Sequence, residues 1–211
     1  MATDQKTTPK ATSTKAKSNT AKKTTSTPKA PKGTTPPCRV AIIGGARIPF
    51  CRPNTGYADQ SNKDLLTAAL RALVSKYQLG GKRIDEVAAG AVLKHSRDFN
   101  LTRECVLSSG LSPYTPAYDV QQACGTSLET TMLVGNKIAM GQIECGIAGG
   151  VDNTSDAPIA LNDDLREILL EANRAKTAGQ RLKALAKIRP SQIVPDYPGV
   201  GEPRTGLSMG E

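Results

Sequence analysis

Residues 117–140 read Ala-Tyr-Asp-Val-Gln-Gln-Ala-Cys-Gly-Thr-Ser-Leu-Glu-Thr-Thr-Met-Leu-Val-Gly-Asn-Lys-Ile-Ala-Met. The stretch changes period halfway along. Ala117 to Gln121 predicts a strand. After Ala123-Cys124-Gly125-Thr126-Ser127 a helix is predicted to about Met140, with Leu128, Met132, Leu133, Ile138 and Ala139 as its apolar positions. Glu129 and Lys137 are its only charges, so the helix is expected to be well buried. A strand that turns directly into a helix is one unit of an α/β fold. The turn between them holds a cysteine and a glycine.

The same alternation extends both ways. Upstream, Arg39 to Ile43 predicts a short β-branched strand stopped by Gly44-Gly45. Those glycines lack the G-x-G-x-x-G spacing, which gives no support to dinucleotide binding. Ser61 to Leu79 predicts a helix with an approximate capping box in Ser61 and Asp64, closed by Gly80-Gly81. Ile84 to Leu93 predicts a strand whose near-continuous apolarity suits a sheet buried on both faces. Leu101 to Ser109 predicts a shorter helix, and Ile143 to Val151 a further strand. The fold class is therefore α/β, with helices packed on a βαβ-type sheet. From Asp156 the pattern changes: Leu165 to Leu185 predicts one or two charged amphipathic helices, and Pro190, Pro195, Pro198 and Pro203 mark an extended loop region.

Residues 1–37 stand apart. They hold eight Lys, one Asp, eleven Thr and no Val, Ile, Leu or aromatic residue. Such a segment has no apolar surface to offset its chain entropy, and it is expected to be a disordered basic tail. It carries +7 of the chain's formal +9, which leaves +2 for residues 38–211. The body thus lacks the charge of a nucleic-acid-binding domain, and no specific nucleic-acid partner is expected. No run of about 20 apolar residues predicts a transmembrane helix. No export signal is evident, so the five Cys are read as reduced thiols in a cytoplasmic protein. With one His and no C-x-x-C pair, no metal site is expected.

Cys124 is the strongest chemical candidate. A helix start offers free N–H groups and about half a positive charge, which favours a thiolate. Gly125 lets the chain turn tightly and gives a substrate room. Such a thiol can attack an activated carbonyl to form an acyl-enzyme, its own N–H helping to hold the oxyanion. A small buried hydrophobe is the competing reading, and local pattern leaves both open. Cys38, Cys51, Cys105 and Cys145 read as structural, Cys145 within an apolar strand. His95 follows a strand but has no sequence partner that defines a triad. Arg47, Arg52 and Arg204 can meet phosphates or carboxylates, or can simply be solvated.

Four motifs in order carry a resemblance: Ala46-Arg47-Ile48-Pro49-Phe50, Cys124 within Val-Gln-Gln-Ala-Cys-Gly-Thr-Ser, Ala148-Gly149-Gly150-Val151-Asp152-Asn153-Thr154-Ser155, and Met209-Gly210-Glu211. They resemble the N-terminal half of thiolases, acetyl-CoA C-acyltransferases, over about residues 39–211. The stretches Lys-His-Ser-Arg-Asp-Phe-Asn and Pro-Gly-Val-Gly-Glu-Pro-Arg-Thr-Gly are similar to the fatty-acid oxidation type. The resemblance implies a thiolase-like fold: an N-terminal α/β domain over 38–211, with 156–211 beginning a loop domain. It implies that Cys124 takes the acyl group of a 3-oxoacyl-CoA, releases acetyl-CoA, and passes the acyl group to a second CoA, or runs the reverse Claisen condensation. Coenzyme A is then a substrate, and no tightly bound cofactor is implied. The complete enzyme is expected as a homodimer or tetramer, with a multifunctional β-oxidation subunit as a further partner.

In the family a His activates the nucleophile and a second Cys acts as acid and base, both from a C-terminal half. No residue after Gly125 is a His. The chain is accordingly expected to be an incomplete, inactive fragment whose apolar helix after Cys124 faces water. Most thiolases carry an Asn before the Cys and Ala/Ser-Gly after it, so the motif here bears on the substrate subtype. Two alternatives are a β-ketoacyl synthase-like condensing enzyme and a non-catalytic module with a polyanion-binding tail. The Arg-Ile-Pro-Phe and Ala-Gly-Gly motifs favour thiolase over the first, and the near-neutral body opposes the second.

Overall fold

The computed structural model describes residues 38–195, 201–202 and 204–208. The readings of residues 1–37 as a tail, of Pro198 and Pro203, and of Met209-Gly210-Glu211 lie outside them. The elements run α1 (Asn62–Lys76), β1 (Glu86–Ala89), α2 (Leu101–Ser109), β2 (Ala117–Asp119), α3 (Thr126–Ala139), β3 (Gly146–Ala148), α4 (Asp163–Arg174) and α5 (Ala178–Leu185). Short 3₁₀ turns cover Thr154–Asp156 and Pro190–Ile193.

The strands form a parallel sheet in the order β2-β1-β3. Val87 pairs with Ala117 on one side and Ile147 on the other, so β1 is central. All four of its residues are buried, Val87, Ala88 and Ala89 as an apolar run on both faces and Glu86 as a buried charge. Moving from β1 to β2 and from β2 to β3 means stepping in opposite directions. Right-handed crossovers then put α2 and α3 on opposite faces.

On the first face, Leu66, Leu70, Leu101 and Cys105 pack with Ala89 and Ala91, while Val74 and Val106 pack with Ile84, Val87 and Leu111. The Ser61–Asp64 capping box forms, with the Ser61 amide donating to Asp64 Oδ2 at 3.0 Å and the Asp64 amide to Ser61 Oγ at 3.2 Å. Asp119 at the end of β2 accepts the Leu101 and Thr102 amides at 3.0 and 2.8 Å and Lys94 Nζ at 2.7 Å, which ties the start of α2 to the sheet.

Helix α1 stops before the glycines expected to end it. Gln78 takes φ 52°, its amide donates to Ser75 O at 3.3 Å, and the Leu79 amide reaches Val74 O at 2.9 Å. This is a Schellman closure with glutamine in the left-handed position, and Leu79 packs back on Val74 and Ile84.

Two further expectations are corrected. Residues 39–43 form no strand: Val40, Ile42 and Ile43 are exposed, and no described ladder includes them. The segment is fixed at its ends instead, by the Cys38 amide on Ala139 O at 2.9 Å and Lys76 Nζ on Gly45 O at 3.2 Å. Its apolar side chains favour β structure, but β structure also needs a neighbouring edge.

Helix α3 is not well buried. Leu128 and Met132 are 64% and 48% exposed, and the face on the sheet is Thr126, Thr130 and Val134. Small residues are there because β3 approaches closely. A Cβ on Gly146 would fall 2.6 Å from Val134 Cγ1, and Thr130 Oγ1 lies 3.1 Å from Gly149 O. Lys137 is spent on a bridge, with Nζ 2.5 Å from Glu86 Oε2, while Tyr118 donates to Glu86 Oε1 at 2.7 Å. The buried Glu86 charge is thereby paired, as burial demands.

Leu165 to Leu185 resolves into two helices, α4 burying Leu165, Ile168 and Ala172 and α5 burying Ala184. No helix among the described residues is long and apolar enough to cross a membrane.

Candidate active site

The carboxyl ends of parallel strands are where α/β sheets place ligands. Here β2 leads to Cys124, β3 to Gly150–Asn153, and β1 to Gly90. The Val120 amide donates to Ala89 O at 2.8 Å, and a Cβ on Gly90 would sit 1.8 Å from Val120 O. Glycine at 90 is what lets the exit of β2 press against β1 and deliver the next residues across the sheet end.

The turn that follows is strained. Ala123 adopts φ 43°, left-handed and costly for a residue with a Cβ. Thr126 is buried and holds the turn from within: its Oγ1 accepts the Gln122 amide at 2.9 Å and donates to Ala123 O at 2.8 Å. The Gly125 amide closes on Gln122 O at 2.9 Å. Cys124 sits at the outer corner, exposed, immediately before the first turn of α3.

That helix start is open. Ser61, Asn100, Asn162 and Thr177 each cap their helix with a side-chain oxygen, whereas Gly125 begins α3 with no side-chain cap. The Thr126 amide turns back on Ala123 O at 3.3 Å, and a helix start without a side-chain cap, with its dipole, favours negative charge beside it. The site thus offers a reachable sulfur next to a place where an anion is stabilised.

Cys124 lines a cleft of about 510 Å³ with Ala123, Thr126 and Ser127 on one side, the Gly150–Thr154 exit of β3, and residues 47–53 with Tyr57. A Cβ on Gly150 would lie 3.2 Å from Ser127 Cβ, so this glycine keeps the β3 exit close to the helix start. Asp152 Oδ1 accepts the Val92 and Leu93 amides at 2.9 and 2.8 Å. Arg47 and Arg52 both line the cleft, and Arg47 stacks on Phe50 at 4.0 Å. A larger hollow of about 590 Å³ is lined by α4 residues alone. It lies along one amphipathic helix and contains no cysteine, serine or histidine.

The other sequence candidates fall elsewhere. His95 is outside the residues lining the cleft, with Nε2 3.0 Å from Asp156 Oδ2, and Arg97 lies 3.7 Å from the same oxygen. Arg204 is exposed in a turn whose amide donates to Glu202. Cys105 is buried, and desolvation pushes its thiol up to about 11. Cys38, Cys51 and Cys145 are exposed, so burial does not set them apart from Cys124. Cys145 precedes β3 instead of lying in it, and its Sγ donates to Asp85 Oδ2 at 3.9 Å. Cys51 shares the cleft with Cys124 and lies against Tyr57, whose phenol is held above its ordinary value by desolvation and by that thiol. The role of Cys51 and Tyr57 in the cleft had no signal in sequence, since a polar loop shows no period. Among the described residues no cluster of His, Cys, Asp and Glu is arranged to hold a metal ion.

Residues 40–193 match the family model described as thiolase, N-terminal domain. The chain is 40% identical over 173 residues to a 3-ketoacyl-CoA thiolase of Photorhabdus laumondii, covering 82% of this chain and 40% of that protein. A 3-ketoacyl-CoA thiolase of Cronobacter sakazakii is 38% identical over the same shares. A crystal structure of the Bacillus anthracis acetyl-CoA acetyltransferase superposes with a TM-score of 0.63 at 20% identity, covering 84% of this chain and 41% of that one, which speaks to the fold alone. The chain spans about 40% of the length of the curated relatives it matches.

Proposed function

The chain belongs to the thiolase family, and from that premise we propose that its Cys124 is the nucleophile of acyl transfer between a 3-oxoacyl-CoA and coenzyme A. The observation that carries the reading is the exposed sulfur between a strained Ala123 and an uncapped helix start, inside a cleft.

The Cys124 thiolate attacks the 3-oxo carbon, and the C2–C3 bond breaks. The electron pair leaves on C2, which takes a proton to give acetyl-CoA. The acyl group stays on sulfur as a thioester. A CoA thiolate then attacks that carbonyl, the bond to Cys124 breaks, and the thiolate returns. The first-turn N–H groups of α3 stabilise negative charge at this corner in both half-reactions. CoA enters as substrate, and no tightly bound cofactor takes part. A place in β-oxidation belongs to the same proposal and draws support from the names of the relatives, while assembly as a homo-oligomer rests on the resemblance alone.

The resemblance assigns the activating His and the second Cys to a C-terminal half. His95 does not line the Cys124 cleft and is not assigned that role. General acid–base help is typically worth about 10²–10⁴ in rate, so these 211 residues are expected to acquire an acyl group without turning over acetoacetyl-CoA.

The test is a single acylation with S-phenyl thioacetate followed by peptide mapping. One acetyl group on Cys124, absent from Cys124→Ala, is expected. Acetylation spread over Cys38, Cys51 and Cys145, unchanged by Cys124→Ala, would overturn the assignment.

A further inference from the structure

One wall of the cleft has no secondary structure of its own. Residues 52–60 are held internally by local turns, Thr55 Oγ1 to Arg52 O at 2.6 Å and the Ala58 amide to Thr55 O at 3.0 Å. What holds this loop to the rest of the site comes from the turn after β3. Asn153 is 7% exposed and fully committed. Its Nδ2 donates to Tyr57 O at 2.9 Å and Gln60 O at 2.6 Å, and its Oδ1 accepts the Ser155 amide at 3.0 Å. The Asn54 amide donates to Ser155 Oγ at 2.9 Å.

These three long-range bonds join the loop to a turn about 93 to 101 residues away. The loop contributes Arg52, Pro53 and Tyr57 to the same cleft as Cys124. Asp152 fixes the near end of the turn on the Val92 and Leu93 amides, so the turn is a rigid post.

We propose that Asn153 and Ser155 are positioning residues, a two-point latch that fixes the 52–60 loop as a wall of the Cys124 cleft and so sets how bulky a group can reach the sulfur. The proposal rests on Cys124 being the nucleophile. It adds a size filter to that site, read from hydrogen bonds that touch neither the sulfur nor a substrate.

The test uses the whole 211-residue chain and two alkylating probes, iodoacetamide and a dansyl-bearing iodoacetamide. Peptide mapping gives the rate at Cys124 for each. The ratio of small-probe to bulky-probe rate cancels any change in intrinsic thiol reactivity. Ser155→Ala removes one latch point and Asn153→Asp removes both amide donors. Ser155→Ala is expected to lower the ratio about 2–10-fold, the change in open population that one lost hydrogen bond allows, and Asn153→Asp, which loses two, to lower it further. Ser155→Thr, which keeps the hydroxyl, is expected to restore it. An unchanged ratio in both variants, with Cys124 still reacting, would overturn the latch even if melting temperature fell. A Cys124 that reacts with neither probe in the unsubstituted chain would overturn the nucleophile and the latch together.

Discussion

Helices α2 and α3 are the two crossover helices of one small sheet, and they treat their apolar residues differently. In α2 the side chains of Leu101, Cys105 and Val106 are fully buried against β1 and α1. In α3 the larger apolar residues Leu128 and Met132 face outward, and threonines meet the sheet. The helix with more apolar residues is the less buried one. Composition states what a helix gains by being covered, and packing decides which stripe gets covered. Against β3, where Gly146 and Gly150 lower the sheet surface, only small or β-branched residues come close enough. The glycines and threonines on that face also place the helix start beside Cys124.

The contrast can be broken by substitution. Leu101→Ala in α2 is expected to cost about 2–5 kcal/mol, the range for emptying a packed leucine site, read by denaturant unfolding. A loss under 1 kcal/mol would mean that this face is looser than described.

Asp119→Asn comes next, at about 1–3 kcal/mol, because it leaves bonds to Lys94 and the α2 amides weakened. Its effect depends on pH. Burial raises the Asp119 carboxyl, but the bonds from Lys94, Thr102 and Leu101 outweigh it, and the group lies below its ordinary value. A folded pKa below the unfolded one stabilises at pH above the ordinary carboxylate range and is lost as pH falls through the folded value. The acid limb of the stability curve is expected to flatten in Asp119→Asn. A parallel curve would contradict this.

Gly135→Ala in α3 is expected to stabilise by about 0.5–1 kcal/mol, since glycine weakens a helix interior by that amount and a Cβ there meets nothing within 4 Å. Met132→Ala is the smallest, within about 0.5 kcal/mol, as for other exposed positions. A Met132→Ala loss comparable to that of Leu101→Ala would erase the difference between the two helices.

The sequence period marks α2, the start of α1 and helix over residues 165–185, because each follows one period with a clear start, while the strand expected over Ile84–Leu93 is only Glu86–Ala89. The Ser61 cap and the β2–α3 turn were legible for the same reason. Three things were not. Arg39–Ile43 has strand-forming residues, but pairing depends on an edge that local sequence does not encode. The end of α1 was misplaced because Gln78, without any glycine signal, takes the left-handed position. The cleft wall was invisible because Asn153 and Ser155 act on residues about 100 positions earlier. Cys124 itself was legible as a candidate. What sequence could not supply was the contrast among five thiols, which depends on burial, on Asp85 beside Cys145, and on the uncapped start of α3.

That contrast is the centre of the account, and sub-stoichiometric iodoacetamide reads it directly. The unsubstituted chain is treated at neutral pH with less reagent than protein, and the five cysteines are quantified by peptide mapping. Cys124 is expected to carry most of the label, Cys38, Cys51 and Cys145 less, and buried Cys105, its thiol pushed up to about 11, none. Label on Cys145 or Cys105 ahead of Cys124 would contradict the placement of the nucleophile at the start of α3.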